Sequence, residues 1–330
     1  MNSYGNKFRI SVFGESHGEA IGVVADGVPA GIALKEEDFL YDLSRRKSGG
    51  KGTTPRRESD LPNIVSGVFN GYTTGAPVAL LFRNENTRSS DYSQFREIPR
   101  PGHSDFVAGI KYGGFNDIRG GGHFSGRLTL TLVAAGVLAK KAIDRSDAGK
   151  NIKIEAELVE LGGTAKADSV KWDKIIEEAI SEGDSVGGIV ECRCSNVPAG
   201  LGEPFFDSLE SQLSHLLFSI PGVRGVEFGD GFAASRMKGS EHNDPIMDPT
   251  GKTGKNGAGG INGGISNGNP IVFRVAVKPT SSISKTQRSF NFTSGQIEEF
   301  NIKGRHDACI ALRVPVIAEA VAAIVLANNL

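Results

Sequence analysis

The chain has 330 residues, of which 38% are hydrophobic and 23% charged, with a formal net charge of −1. That composition is typical of a folded globular protein, and it excludes the disordered and fibrous classes. A pI near 6.6 and only 7% aromatic residues also disfavour a nucleic-acid-binding protein, which needs a basic surface with exposed aromatic side chains. Three cysteines are too few and too scattered for a disulfide framework, so we expect reduced thiols.

We expect neither a membrane span nor a secretion signal. The longest apolar stretch, residues 314–327, contains Glu319 and is shorter than the ~20 residues that a bilayer-spanning helix needs. The N-terminal sequence MNSYGNKFRI lacks the apolar core of a signal peptide. The sequence therefore predicts a cytoplasmic protein with no membrane and no nucleic acid among its partners.

The spacing of apolar residues predicts strands and helices in alternation along the chain. The predicted strands are residues 8–13, 21–25, 63–69, 78–82, 152–161, 188–197, 226–228 and 271–278. The predicted helices are residues 36–46, 127–143, 170–181, 208–219 and 315–328. Asp207, with Glu210 three residues later, resembles a capping box at the start of the fourth helix, and Pro221-Gly222 ends that helix.

Two of the predicted helical segments are apolar nearly all round. They are residues 128–139 and the helix that follows Pro315. A helix without a polar face must be covered on every side. We therefore predict a helical layer enclosed by sheet, in a single domain that spans residues 1–330.

Glycine is in clear excess: 44 of the 330 residues are glycine, which is nearly twice the usual share of ~7%. Glycine lets main-chain N–H groups approach a ligand closely, but it also serves the turns of all-β proteins, and composition alone leaves both interpretations open. The longest irregular region, residues 240–269, is glycine-rich, and loops of that length are usually functional or mobile.

Six cations lie within thirteen residues around the end of the first predicted helix, namely Arg45, Arg46, Lys47, Lys51, Arg56 and Arg57. The first three have a structural explanation, because cations at a helix C-terminus complement the helix dipole. The other three lie in the loop KGTTPRR, where arginine forks suit carboxylate or phosphate oxygens. Taken alone, the cluster leaves an anionic ligand and a solvated face as open alternatives.

Two histidines lie in glycine-containing turns, His17 in GESHG and His103 in RPGHSDF. Histidine titrates near neutrality, so a positioned imidazole can protonate a leaving oxygen or stabilise a nearby anion. For these two together we favour a chemical role over a structural one. Asp307, next to a predicted helix, suits either a helix cap or a base beside a ligand.

Three motif-like segments do not carry a function. GDGFAA at residues 229–234 is followed by no convincing amphipathic helix, and GKTGKNGAGG lacks the spacing of a P-loop. Cys192 and Cys194 lie on one face of a predicted strand without a paired C-x-x-C or a histidine at ligand spacing. We expect no metal site.

Taken together, long segments of the chain resemble the chorismate synthase family. They include GESHGEAIGVVADGVPAG, RRKSGGKGTTPRRESD, RPGHSDF, RGGGHFSGR, VPAGLGEPFFD, AGGINGGISNG, KPTSSIS and GRHDACIALRVPVIAEA. They follow the family's order at similar distances, from about Gly5 to the C-terminus. The resemblance implies an α+β fold, a single-domain layered sandwich with helices enclosed between antiparallel sheets, and an assembly that is usually a homotetramer, a dimer of dimers.

The resemblance also implies an activity. It is the 1,4-anti elimination of phosphate from 5-enolpyruvylshikimate 3-phosphate to give chorismate, the last step of the shikimate pathway to aromatic amino acids. Reduced FMN is required and not consumed. We expect a monofunctional carbon-oxygen lyase that takes a small anionic substrate and depends on an external flavin reductase or reductant.

Site residues follow from the same resemblance, motif by motif. The catalytic residues are expected to be His17 as general acid, His103 beside the reduced flavin and Asp307 in the final proton removal. The substrate is expected to contact Ser16, Arg45, Arg46, Lys51, Arg56, Arg127 and Arg305. The flavin is expected to contact His123, Phe124, Ser125, Pro221, Gly222, Gly263, Lys278, Pro279, Thr280, Ser281, Ser282 and Arg305.

One segment departs from the family. Many members read GGGRSSARET where this chain reads GGGHFSGRLT, which leaves open whether His123 replaces a cation or fills space. Two other functions are weighed beside the lyase: a flavoprotein oxidoreductase with an anionic substrate, and a binding module for polyanions.

Overall fold

The computed structural model describes residues 1–54, 58–86, 89–302 and 306–330, apart from the side chains of 89–91 and 93. Its strands are β1 (Ser3–Tyr4), β2 (Arg9–Gly14), β3 (Ala20–Asp26), β4 (Asn63–Ser66), β5 (Val68–Phe69), β6 (Tyr72–Thr73), β7 (Val78–Arg83), β8 (Lys153–Leu161), β9 (Thr164–Ala165), β10 (Gly188–Ser195), β11 (Val223–Phe228), β12 (Ile261–Asn262), β13 (Ile265–Ser266), β14 (Ile271–Val277), β15 (Gln287–Asn291) and β16 (Gln296–Phe300). Its α-helices are α1 (Glu37–Arg46), α2 (Asp105–Lys111), α3 (Thr129–Arg145), α4 (Trp172–Ser181), α5 (Leu209–Leu217), α6 (Gly239–His242) and α7 (Val314–Asn329).

Two antiparallel sheets form the outer layers. The first has the strand order β1-β2-β3-β7-β4, and the second has the order β11-β14-β10-β8-β9. All neighbouring strands within these two sheets pair antiparallel. The remaining described pairs are the hairpins β5-β6, β12-β13 and β15-β16.

The helices α3 and α7 form the layer between the two sheets. They pack against each other, α3 against β3 of the first sheet and α7 against β8 and β10 of the second. Both are buried over most of their length. The predicted α+β sandwich with enclosed helices is therefore confirmed. Residues Ile310–Asn329 are long and apolar enough for a membrane span, but 72% of that window is buried inside the protein, as a core helix requires.

The two central helices approach closely at Gly136 of α3. A Cβ atom there would lie 2.4 Å from Ala320 Cβ and 2.6 Å from Ala320 Cα of α7. Separations under 3 Å cannot be accommodated without a shift of backbone, because closely packed cores have no free volume. Gly136 thus sets the distance between the helices.

A charged network crosses the helical layer around Glu319 of α7. The Glu319 carboxylate accepts from Arg45 Nη1 at 2.7 Å and from Arg45 Nη2 at 2.6 Å, and it also accepts from the Ala156 N–H at 3.1 Å. Lys140 of α3 joins this network because its Nζ donates to Asp42 Oδ2 at 2.7 Å. Because buried charges must be paired, this network explains a carboxylate in an otherwise apolar helix.

Several local predictions need correction. The cap of α5 is Ser208, whose Oγ accepts from Ser211 N, so the predicted capping box of Asp207 and Glu210 is wrong. Residues 240–269 are not one long irregular loop, because α6 and the hairpin β12-β13 fall within them and Asp244 accepts from the N–H groups of Gly257 and Ala258. The helix α2 and the hairpin β15-β16 were not predicted.

We expect Gly136→Ala to lower the free energy of unfolding by about 1–3 kcal/mol, since overpacking outweighs the better helix propensity of alanine. The matched control is Gly109→Ala in α2, where nothing lies within 4 Å of the new Cβ atom. There we expect a gain of about 0.5–1 kcal/mol. Guanidinium denaturation measures both, and a stabilised Gly136→Ala variant would contradict the close approach.

Candidate active site

A cavity of about 680 Å³ opens where loops from both sheets meet the start of α3. That volume is in the range of ~300–1,000 Å³ typical of small-molecule sites. Its lining comes from seven separate parts of the described chain: Ser16, residues within 46–54 and 58–60, and residues within 92–104, 120–127, 218–224, 278–282 and 306–313. Side chains distant in sequence therefore converge on one space.

Two glycine-rich loops interlock along one wall of the cavity. Ser16 N donates to the Gly122 carbonyl at 3.1 Å, and His123 Nδ1 lies 2.8 Å from the Gly14 carbonyl. A carbonyl can only accept, so Nδ1 carries a proton and donates there. His123 Nε2 also lies 3.2 Å from Asn2 Oδ1. Besides lining the cavity, His123 thus supports the loop that carries Ser16.

Asn84 holds the same loop from the other side. Its amide donates to the carbonyls of Glu15 at 3.0 Å and Gly18 at 2.8 Å, while its Oδ1 accepts from Arg127 Nε at 2.5 Å. The position of Arg127 is thereby coupled to that of the loop at Ser16.

Gly120 lies in the second of these loops and determines how closely that loop approaches Ser16 and His17 in the first. Its φ of 61° is in the left-handed region, and a Cβ atom there would lie 2.8 Å from His17 Cδ2, His17 Nε2 and Ser16 Oγ. His17 is buried and sits edge-on to the Tyr92 ring at 5.0 Å. Ser16 lines the cavity, and His17 lies directly behind Gly120.

On the opposite wall, His103 is held by buried charges. Its Nδ1 lies 2.7 Å from Asp105 Oδ1, and Arg100 Nε and Nη2 each donate to Asp105 at 2.7 Å. Burial lowers the pKa of His103, the Asp105 carboxylate opposes that shift, and Arg100 and Lys278 add to it. The imidazole is therefore predominantly neutral near pH 7 before any anion binds.

Arg46 and Arg127 converge on a shared carboxylate. Asp60 accepts from Arg46 Nη2 at 2.9 Å and from Arg127 Nη1 at 2.8 Å, and all three side chains are buried. Burial alone would raise the pKa of Asp60, but the two arginines hold it below its usual value. One carboxylate thus orients two guanidinium groups at the cavity wall.

The positive charge of this group is only partly compensated. Among the described residues, Arg46 Nε and Nη1 have no hydrogen-bond partner although both atoms are buried. Burial, followed by the nearby charges of Arg313 and Arg127, lowers the pKa of Arg46 to about 9. A buried cation with free donors gains most from an anionic ligand.

Asp307 is the carboxylate that the sequence predicted for the site, and it lies on the same wall as Arg46. Its Oδ1 accepts from Thr54 N at 2.9 Å, and its Oδ2 lies 3.3 Å from Arg313 Nη1. Arg313 Nε in turn donates to the Arg46 carbonyl at 2.8 Å. These bonds tie Asp307 to the end of α1, next to the arginine group.

The predicted flavin contacts fall mainly on one side of the cavity. Those that line it are His123, Phe124, Ser125, Pro221, Gly222, Lys278, Pro279, Thr280, Ser281 and Ser282. Lys278 Nζ donates to the Gly102 carbonyl at 2.6 Å and to Ser281 Oγ at 2.8 Å, which joins this side to the loop of His103. Thr280 Oγ1 is buried without a hydrogen-bond partner among the described residues.

Four predicted residues do not line the cavity in the described part of the chain, namely His17, which lies behind Gly120, and Arg45, Lys51 and Gly263. Arg45 pairs with Glu319 in the helical layer, and Lys51 pairs with Asp173 at 3.5 Å and Glu177 at 2.7 Å on α4. Gly263 lies in the turn of the hairpin β12-β13 and is not among the residues that line the cavity in the described part of the chain. Two others, Arg56 and Arg305, lie outside the described residues.

The sequence interpretation missed several members of the site, notably Asp60, Asn84, Arg100, Asp105 and Arg313. Arg100 is in the motif RPGHSDF and Asp60 ends RRKSGGKGTTPRRESD, so both were within recognised segments. Their roles depend on partners between 5 and 67 positions away in sequence, which no local pattern reveals.

Comparison with known proteins identifies a well-defined family. The family model described as "Chorismate synthase" matches residues 8–330. A chorismate synthase of Chitinophaga pinensis is 63% identical over 328 residues, which cover 99% of this chain and 96% of that protein. A chorismate synthase of Dehalococcoides mccartyi is 48% identical over 99% of this chain and 96% of its own length. A solved structure of a chorismate synthase superposes with a TM-score of 0.74 at 27% identity, covering 99% of this chain and 92% of that one.

The arginine pair 45 and 46 allows a direct test of the anion site. We expect inorganic phosphate to raise the melting temperature of the wild-type protein, by about 2 °C or more once its concentration exceeds about ten times the dissociation constant. Arg46→Met should lose this shift because it removes a guanidinium group of the cavity lining. The matched control is Arg45→Met, which changes the adjacent arginine bound to Glu319. Phosphate should still raise the melting temperature of this variant above the value it has without phosphate. Equal shifts in all three proteins, measured by calorimetry against chloride of matched ionic strength, would contradict the assignment.

Proposed function

Because the chain belongs to the chorismate synthase family, we propose that it eliminates phosphate from 5-enolpyruvylshikimate 3-phosphate to give chorismate, with reduced FMN required and not consumed. The observation that carries this proposal is the convergence of the His17 and His103 loops with Arg46 and Arg127 around one cavity. The reaction would make the chain a carbon-oxygen lyase of aromatic amino acid biosynthesis.

The charge of the cavity suits this substrate. A phosphate ester with two carboxylates requires several guanidinium groups at separate points. The cationic lining residues are Arg46, Lys47, Arg100, Arg127, Arg224, Lys278 and Arg313, against Glu58, Asp60 and Asp307. The unpaired donors of Arg46 make its neighbourhood the strongest candidate for an anionic group of the substrate.

The opposite side of the cavity fits a flavin. It offers small residues at Gly222 and Ser125, the free hydroxyl of Thr280, and the donors of Lys278. When bound, reduced FMN supplies electron density to the substrate ring during phosphate loss and recovers it when the C6 hydrogen leaves. The loops 221–222 and 278–282 would hold it, with His103 beside it.

The protein's own groups manage protons and orientation in this proposal. His17, buried behind Gly120, would donate a proton to the departing phosphate oxygen, with Ser16 oriented at the cavity surface. Asp307, fixed by Thr54 and Arg313, would assist removal of the C6 proton. Burial of the surrounding arginines excludes water and strengthens each electrostatic contact.

We also propose a homotetramer in the cytoplasm that receives reduced flavin from an external reductase or reductant. Exposed apolar side chains on α2, namely Phe106, Val107 and Ile110, support burial against another subunit.

The proposed reaction is tested by an anaerobic assay with chemically reduced FMN and 5-enolpyruvylshikimate 3-phosphate. We expect chorismate and inorganic phosphate in equal amounts with no net oxidation of FMN, and no product with oxidised FMN. Oxidation of one flavin per turnover would instead identify an oxidoreductase. Failure to form chorismate would refute the proposal.

Gly120 provides a second test, of the wall between the two loops. We expect Gly120→Ala to lower turnover by about 10²-fold or more, because the new methyl group must displace Ser16 and His17 by a substantial part of an ångström. The matched control is Gly71→Ala, where φ is also positive, at 79°, but nothing lies within 4 Å. Both variants should carry backbone strain, but only Gly120→Ala should lose turnover. Equal turnover in the two variants would contradict the role of Gly120.

A further inference from the structure

The carboxylate of Asp105 is surrounded by donors from a single turn of the chain. Its Oδ2 accepts from Arg100 N at 3.1 Å and from Arg100 Nε at 2.7 Å. Its Oδ1 accepts from Arg100 Nη2 at 2.7 Å and lies 2.7 Å from His103 Nδ1. Only about 3% of the side chain of Asp105, and of Arg100, is exposed. Water therefore does not compete for these bonds.

This geometry defines the tautomer of His103. A contact of 2.7 Å between Nδ1 and a carboxylate oxygen requires a proton between them, because two lone pairs at that distance would repel. Arg100 Nη2, which carries two protons, also lies 3.1 Å from Nδ1, but its contact with Asp105 is the shorter at 2.7 Å, and an Nδ1 that donates to Asp105 has no lone pair left to accept from Arg100. The neutral imidazole thus carries its proton on Nδ1 and presents a bare Nε2. Nε2 and Cε1 face the loop of Gly121, each 3.5 Å from where its Cβ atom would lie.

Arg100 keeps the shared proton on the imidazole. Two guanidinium N–H groups and one main-chain N–H hold Asp105 in its ionised form, because protonation would break a charge-assisted bond. Burial alone would raise the pKa of Asp105, but Arg100 and His103 hold it far below the usual range. Arg100 is itself fixed by Ser282 Oγ at 2.9 Å and by the face of Phe95 at 4.4 Å.

We propose that Asp105 is a positioning residue that fixes the Nδ1–H tautomer of His103 and directs Nε2 to the ligand, and that Arg100 keeps Asp105 ionised for this task. The chemical consequence of this arrangement rests on the proposed function, in which His103 lies beside reduced FMN. Every proton that His103 gains or releases then passes through Nε2. A flavin anion bound there would be met by a donor whose cationic form Asp105 stabilises.

The competing explanation is that Asp105 only stabilises the turn before α2. It lies in the first turn of that helix and accepts from Arg100 N, so a structural role is chemically reasonable. A structural role would change the melting temperature. It would not change the imidazole tautomer in a protein that remains folded.

The first measurement needs neither substrate nor flavin. In the ligand-free protein labelled with ¹⁵N-histidine, we expect the His103 imidazole near neutral pH to carry its proton on Nδ1. In Asp105→Asn, we expect the pKa of His103 to fall by about one unit or more, because the carboxylate is lost while Arg100 and Lys278 remain. His123, whose Nδ1 donates to the Gly14 carbonyl, serves as the internal reference and should not change. A proton on Nε2 of His103 in the wild-type protein would overturn the proposal.

The second measurement uses turnover and its pH dependence. We expect Asp105→Asn to lose about 10²-fold in kcat near neutral pH and to recover part of that loss only as the pH is lowered to the reduced pKa of His103, where the imidazole is again protonated. Asp105→Glu should restore part of the activity, since it retains the carboxylate. A pH-independent loss that Asp105→Glu does not restore would favour the structural role and contradict the proposal.

Asp230 supplies the matched control. It makes an Asp–His contact of the same kind, with His242 Nδ1 at 3.1 Å, but it is partly exposed and does not line the cavity. Asp230→Asn removes the carboxylate from this contact and should leave turnover unchanged. Should chorismate formation fail altogether, the tautomer of His103 would still decide this inference. The two proposals can therefore be refuted separately.

Discussion

The hydrogen bonds that interlock the loops at residues 14–18 and 119–127 are the constraint on which the rest of the site depends. One loop leaves the first sheet and the other leads into α3, so the bonds from Ser16 to Gly122 and from His123 to Gly14 tie a sheet edge to the central helical layer. Both partners are largely main chain. The contact therefore requires glycine at position 120, where any side chain would meet Ser16 and His17. Rigidity of this wall comes from the fold itself.

Three carboxylates around the site, of which only Asp307 was predicted, are paired with arginines. Asp60 orients Arg46 and Arg127, Asp105 is held by Arg100, and Asp307 is held by Arg313. Paired in this way, the arginines are fixed before a ligand arrives, so little reorganisation is needed on binding. The surplus of positive charge remains available to the ligand.

Local pattern predicted the main elements but did not determine which charged residues enter the site. The strands and the two apolar helices follow from residue spacing, and their layered packing follows from the need to bury α3 and α7 on all sides. Arg45 and Arg46 show where such reasoning ends. They are adjacent in sequence, but successive residues on a helix point about 100° apart, so one meets Glu319 in the core and the other meets Asp60 at the cavity. Only the tertiary fold distinguishes them.

The place of α7 in the chain has a consequence for biosynthesis. This helix lies at the centre of the molecule, between α3 and the second sheet, but it is synthesised after residues 1–313. Until then the inner face of the second sheet and the side of α3 that packs on α7 have no covering partner. Nascent chains of this length expose that surface for seconds at ordinary elongation rates of ~5–20 residues per second, and chaperones recognise such surfaces. Closure of the core therefore waits for the synthesis of α7, and a truncated product lacking this helix would have no stable interior.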